Sequence, residues 1–447
     1  MVLGLITLAI LSLVHYVFVT RRQGWASAES VAVVACAIMV AGLLYYSDEG
    51  SGWFIQFSIL CYCAQILGML TFAIIRSPIA RRPRDLPTEL WKPSAWMIIF
   101  LIISLILTSA YYAAAGSVPF IAGLQNLLGQ ADNNVRDLRT GTYQGSSYLA
   151  PGYLNQIKNV LLPTLTSIIS VYLWQRRSFG GRLMACALAL LAVVGLLGTG
   201  QRTFAVVFFA SLVMSYALVQ GRISPRRLLQ FGIPFLILFT MATAALGRSE
   251  SKVEGSEGAA ETLSIYGTEV FQRFFNGQQL SAIYAEAVVA DWQIPPMSDW
   301  LTGLAQLGPG RSYDQSIAGE VGRYYWGGDD GTMPPSMVTS ARLNIGKGPT
   351  VAFFYFWGLG LAALSRWVLS QRGGSPLFFV GAGGLMFALG TWVSDAPFQI
   401  VQWGAGMFAI LMLVGLRQYR RYVASVPAAS ADTGDGSLRA QSVSAKA

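Results

Sequence analysis

LMACALALLAVVGLLGTGQRTFAVVFFASLVMSYALVQ, residues 183–220, is apolar along both arms and interrupted only at Gly198-Thr199-Gly200-Gln201-Arg202-Thr203. Whether it is one tilted helix or a hairpin of two decides on which side of a membrane every later loop lies. A spanning helix needs about 20 apolar residues, and such windows recur near 2–19, 28–46, 53–75, 95–115, 152–174, 183–198, 203–220, 228–246, 349–368, 376–393 and 399–416. With two spans in 183–220, alternate loops carry Arg21-Arg22; Arg76, Arg81, Arg82, Arg84 and Lys92; Arg176, Arg177 and Arg182; Arg222, Arg226 and Arg227; Arg366 and Arg372; and Arg417, Arg420 and Arg421. All of these are basic, as cytoplasmic loops are. The other set holds the acidic turn Ser47-Asp48-Glu49, residues 116–150, the turn at Gly200, residues 247–348, and Ser394-Asp395. With one span instead of two, the basic loops at Arg366 and Arg417 fall on the wrong side. The hairpin is therefore expected, with the N-terminus outside and the C-terminus inside.

Composition agrees with that reading. The chain is 54% hydrophobic and 12% charged, with a mean hydropathy of +0.50, where soluble domains are about a quarter charged. The expected fold class is all-α, a polytopic membrane protein of about eleven transmembrane helices. Its net charge of +9 follows from basic cytoplasmic loops and does not imply nucleic acid. Cys36, Cys61, Cys63 and Cys186 all lie in apolar spans, where cysteine behaves as a small buried hydrophobe. The single histidine, His15, lies in the first span, so a His/Cys metal site is not expected. That span lacks a basic n-region and an A-x-A site before Arg21, which reads as a retained helix rather than a cleaved signal.

The division expected is 1–246, eight transmembrane helices with the external loop 116–150; 247–348, a large external loop domain; 349–423, three more helices; and 424–447, a disordered cytoplasmic tail rich in Ala, Ser, Asp and Gly. The 247–348 stretch interleaves Arg248, Lys252, Arg273, Arg311, Arg323, Arg342 and Lys347 with aromatic residues. Leu263, Tyr266, Val270, Phe274, Ile283 and Ala287 recur at helical spacing, predicting amphipathic helices over 260–290. Pro295-Pro296 and Gly308-Pro309-Gly310 break the chain, and a helix from Asp314 to Trp326 ends at Gly327-Gly328.

Basic residues on the external side need another explanation than topology. Arg202, at the hairpin turn, is close to the membrane boundary, where a charge is normally paired or functional. It either binds a lipid headgroup or carboxylate, or aims a guanidinium fork at a phosphate. In Asp132-Asn133-Asn134-Val135-Arg136-Asp137-Leu138-Arg139, two arginines three positions apart share a helical face. They either clamp a diphosphate or are neutralised by Asp132 and Asp137. Lys158, just inside the next span, either joins this positive cluster or snorkels to the interface. A general base for a sugar hydroxyl would come from external carboxylates, with Glu320, Asp132 and Asp137 the candidates. No Asp-x-Asp pair, P-loop or G-x-S-x-G elbow supports nucleotide-sugar, ATP or serine-hydrolase chemistry.

The Asn133-to-Arg136 segment, the Gly-x-Arg-Thr turn at Gly200–Thr203, the long external loop before the last three helices and the approach Pro334-to-Gly346 together resemble the Wzy-type oligosaccharide repeat-unit polymerases of O-antigen and exopolysaccharide synthesis. The resemblance implies a GT-C-like membrane glycosyltransferase in a bacterial inner membrane, with the long loop periplasmic. It would move a growing glycan from undecaprenyl diphosphate onto a new lipid-linked unit without metal, nucleotide sugar or other cofactor. Its partners would be undecaprenyl-diphosphate-linked oligosaccharide, membrane lipids and a chain-length-regulating co-polymerase. External arginines of such enzymes hold diphosphate and glycan, a role that carries to Arg136, Arg139, Arg202, Arg273, Arg311 and Arg323. The rivals are an O-antigen ligase, which would be expected to bring a histidine in the long loop that this chain lacks, and a lipid-linked glycan flippase, which would show repeated halves and midplane charges.

Overall fold

The computed structural model describes residues 1–45, 52–80, 84, 86–128, 130, 134, 135, 138, 156–176, 178–199, 202–221, 224–245, 283, 295–305, 317–326, 335–392 and 400–425. The regular structure among them is helical. In chain order the helices are α1 (Val2–Gln23), α2 (Ala28–Tyr45), α3 (Gly52–Ile75), α4 (Ala95–Ala115), α5 (Pro119–Leu127), α6 (Ile157–Gln175), α7 (Phe179–Leu197) and α8 (Arg202–Gln220). They continue with α9 (Pro225–Ala245), α10 (Ser298–Ala305), α11 (Ile317–Trp326), α12 (Met337–Ile345), α13 (Lys347–Ser370), α14 (Pro376–Gly390) and α15 (Gly406–Ser425). Each apolar window expected from the sequence coincides with a helix, and 183–220 is two helices, α7 and α8. Among the described residues, seven helical runs are long and apolar enough to cross a membrane: α1, α2, α3, Glu89–Ala115 with α4 inside it, α6, α7 and α13. Phe204–Gln220 and Pro376–Gly390 are shorter apolar helices.

Where the helices meet, glycine lets backbones touch. α3 and α13 run parallel, as the pairs Trp53 with Lys347, Tyr62 with Phe354 and Phe72 with Arg366 show. At their crossing, a Cβ on Gly68 would stand 2.1 Å from the Tyr355 carbonyl oxygen, and one on Gly358 would stand 2.0 Å from that of Gln65. No larger residue fits either place. α14 is gripped the same way on two sides: Gly381 lies against Met412 and Phe408 of α15, and Gly383 against Ser211 and Ser215 of α8. Ser215 also donates to the Phe379 carbonyl at 2.9 Å. Small residues at such seams are how helices associate in lipid, where hydrophobicity gives them no reason to pair.

Inside this bundle lies a buried triad of ionisable side chains. Glu29 of α2 and Arg366 of α13 are fully buried and joined through Glu29 Oε1 and Arg366 Nη1. His15 of α1, also buried, approaches Glu29 Oε2 at 3.4 Å, and Gln23 Nε2 donates to Oε1 at 3.5 Å. Three helices are thus tied by one carboxylate. This corrects the sequence expectation for Arg366: it is not a loop cation but an interior one, one turn before the end of α13. The cation that does serve that end is Arg84, whose Nη2 donates to the carbonyls of Val368 and Leu369 at 3.2 and 3.1 Å. That of Leu369 is a carbonyl a helix terminus leaves without an intrahelical partner, while that of Val368 also accepts from the Gln371 N–H at 3.2 Å. Partial burial at this position weakens the hold of the guanidinium on its proton relative to free arginine.

The short helices before α13 form a locked unit. Trp300 donates through its indole to Ser340 Oγ at 3.0 Å and through its backbone N–H to Asn344 Oδ1 at 3.2 Å. Asp299 accepts from the Ile317 N–H at 3.3 Å, joining α10 to α11, and burial raises its carboxyl above the ordinary range. The expected helix from Asp314 is α11, beginning at Ile317 among the described residues. The helices expected over 260–290, apart from Ile283, and the tail beyond Ser425 lie outside the described residues. Cys36, Cys61 and Cys63 are buried as expected, whereas Cys186 is on an exposed face of α7.

Breaking the triad from one side leaves Glu29 charged in the interior. Arg366→Met is expected to cost about 3–5 kcal/mol, and the double variant Glu29→Gln/Arg366→Met to recover most of that loss. Thermal unfolding of the detergent-solubilised protein measures both; equal losses in the single and double variants would contradict the coupling.

Candidate functional site

α6 begins with a π turn over Ile157–Leu161, and such turns are frequent at functional sites. The turn carries Lys158 and Asn159, each 1% exposed. It packs between the end of α4, the end of α7, α8 and a second π turn, Val401–Ala405, that precedes α15. The two π turns touch directly. A Cβ on Gly404 would stand 2.5 Å from Val160 Cγ2, and Gly404 has φ of 97°, which a side chain disfavours.

Lys158 does not snorkel. Its ammonium lies 5.3 Å from the ring centre of Tyr111 and 5.7 Å from that of Tyr112, whose planes meet edge to face. It donates to the Gly195 carbonyl at 3.5 Å. A cation over aromatic faces is worth about 2 kcal/mol or more when desolvated. Among the described residues no carboxylate pairs with it. The tyrosine cage is made possible by the hairpin turn itself: a Cβ on Gly198 would sit 2.0 Å from the Tyr112 hydroxyl, which donates to the Val194 carbonyl at 3.5 Å. Phe120 at the start of α5 hooks onto the same turn by its N–H to the Gly198 carbonyl, 3.1 Å.

Several buried polar atoms of α6 and the hairpin turn lack partners among the described residues. Neither amide atom of Asn159 has a hydrogen bond among the described residues, and the buried hydroxyls of Thr164 and Thr199 have none. Each such group costs about 1–3 kcal/mol. The positive charge of Lys158 and the adjacent amide of Asn159, able both to donate and accept, are groups complementary to a polar anion, and the Thr199 hydroxyl lies on the hairpin turn that Tyr112 reaches.

The sequence candidates divide into four groups. Lys158 is at the centre of the site. Arg202 opens α8, the helix that follows the hairpin turn and that contacts the π turn of Lys158; its backbone position is described and its side chain is not. Glu320 and Arg323 are together on α11, paired with each other at 2.7 Å. Asp132, Arg136, Asp137, Arg139, Arg273 and Arg311 lie outside the described residues. Sequence reasoning passed over Tyr111, Tyr112, Asn159 and Thr199. The available signal was the polar pair Lys158-Asn159 inside an apolar window. Among the described residues, no three His, Cys, Asp or Glu side chains gather as a metal centre would require.

An apolar side chain of similar length relieves the desolvation of a buried, carboxylate-free ammonium. Lys158→Met is therefore expected to raise thermal stability by about 1–3 kcal/mol. A loss of stability in that variant would mean that the ammonium holds the bundle together instead of being held by it.

Comparisons with known protein families, with curated proteins and with solved structures find no match to this chain.

Proposed function

We propose that the chain is a metal-independent membrane glycosyltransferase that polymerises undecaprenyl-diphosphate-linked repeat units. In this reading it crosses a bacterial inner membrane about eleven times, with residues 247–348 on the periplasmic side. The observation that supports the proposal is the Lys158 ammonium, buried with no carboxylate partner among the described residues and donating to the Gly195 carbonyl just before the turn that leads to Arg202. An isolated interior cation is costly and is retained where function needs it. Here the need would be a diphosphate leaving group.

In the reaction, a hydroxyl of the incoming unit attacks the anomeric carbon of the growing glycan. The bond from that carbon to the diphosphate oxygen breaks, and its electron pair leaves with the diphosphate. Fixed cations act where that charge develops. Lys158 and Arg202 are assigned this role, with Arg136 and Arg139 extending the cluster and Arg273, Arg311 and Arg323 binding glycan. The hydroxyl proton passes to a carboxylate, for which Glu320, Asp132 and Asp137 are the candidates. Since Lys158 is sealed beneath Tyr111 and Tyr112, the anion reaches it when those rings or the hairpin turn move aside.

The test is incubation of the purified protein with a lipid-linked repeat unit and separation of the products by size. A ladder is expected. Transfer only onto a lipid A core would identify a ligase, and translocation without a new glycosidic bond a flippase; either result overturns the proposal. Lys158→Met and Arg202→Ala are each expected to slow chain extension by about 10²–10³ while remaining folded in the membrane. Full-length polymer from either variant at the wild-type rate removes that residue from the site.

A further inference from the structure

Along the C-terminal half of α1, a crease of about 360 Å³ lies between α1 and α2. Its long wall is Val33, Val34, Ala37, Ile38 and Ala41 of α2, and its far wall is Ser12 and Tyr16 of α1. From Ser30 to Ala41 the crease follows α2 for about 16 Å at 1.5 Å per residue. One leaflet of a bilayer has a hydrocarbon depth of about 15 Å, half the core thickness. The crease is therefore as long as a single acyl chain is deep.

Its composition is graded. At the end nearest the α1–α2 turn it is lined by His15, Thr20, Ser30 and Trp25, the last 62% exposed and lying 5.9 Å from Tyr16, ring centre to ring centre. Thr20 and Ser30 hydroxyls are 3.1 Å apart. The next two residues after Thr20 are Arg21 and Arg22, both exposed. Neither forms an ion pair among the described residues, and the carboxylate closest to them in sequence, Glu29, is committed to Arg366 and His15. An apolar trough, a hydroxyl zone, an interfacial tryptophan and two cations follow one another in the order in which a phospholipid presents chain, ester, interface and phosphate.

We propose that this crease is a binding site for one anionic phospholipid, its acyl chain along Val33–Ala41 and its phosphate held by Arg21 and Arg22. The site is independent of the glycosyl-transfer reading and stands at a different part of the bundle from Lys158. Because its wall includes His15 of the buried triad, an occupied crease braces the contact between α1 and α2. A ligand that binds only the folded protein raises stability by mass action.

Native mass spectrometry of the full chain, released from nanodiscs of phosphatidylglycerol or of phosphatidylcholine, tests this together with the melting temperature in each lipid. Wild type is expected to retain one phosphatidylglycerol through delipidation and to melt higher in that lipid. Arg21→Gln/Arg22→Gln is expected to lower phosphatidylglycerol retention about tenfold and erase the difference between lipids. Ala37→Phe, which fills the trough, is expected to abolish retention of both. Val34→Phe, at an exposed position on the mouth, gives a second reading should Ala37→Phe fail to fold. Equal retention of the two lipids by wild type, or unchanged phosphatidylglycerol binding in the double arginine variant, overturns the proposal. Polymerisation by Arg21→Gln/Arg22→Gln is a separate readout, so failure of one reading leaves the other standing.

Discussion

A charge taken out of water must find its counterpart inside the protein, because hydrocarbon supplies none. Glu29 and Arg366 meet that demand together, and with them α1, α2 and α13 acquire a fixed relation. The carboxylate also engages His15 and Gln23, so both of its oxygens are used. Arg366 is only half satisfied by comparison: its Nε and Nη2 have no hydrogen-bond partner. The guanidinium instead faces the Phe72 ring at 6.0 Å. The seam of Gly68 and Gly358 brings α3 against α13 closely enough for that ring to reach it.

Lys158 breaks the rule that Glu29 obeys. It is as deeply buried, yet among the described residues its partners are aromatic faces and one carbonyl. The difference between a paired charge and an unpaired one separates architecture from candidate chemistry in this molecule. Both centres adjoin π turns, Tyr16–Thr20 for the triad and Ile157–Leu161 for the lysine. A widened turn shifts side chains out of the helical register, which lets polar residues converge where regular helices would keep them apart.

Much of the fold was legible because hydrophobic length and loop charge are local properties. The windows at 183–198 and 203–220, and the sign of the loops that follow them, were enough to expect two helices there. Pairing was not legible. Arg366 stands close to Arg372 in sequence, and only contact with Glu29, far away along the chain, distinguishes an interior cation from a loop cation. Lys158 was visible as an odd charge near a span boundary, but its depth depends on glycine at 198 leaving space for the Tyr112 hydroxyl, a relation no periodicity encodes. Asn159 was hidden for the same reason, since an amide in an apolar window reads as an interfacial residue until its neighbours are known.

The distance along the chain between Glu29 and Arg366 has a consequence for biogenesis. They are 337 residues apart, and at about 5–20 residues per second a ribosome needs roughly 20–70 s to make the second after the first. Through that interval α1 and α2 stand at the translocon with a carboxylate awaiting its cation, while His15 and Gln23 are the only members of its final shell yet made. The order of synthesis thus makes the sole histidine of the chain a caretaker for Glu29, and completion of α13 the event that lets the early helices settle.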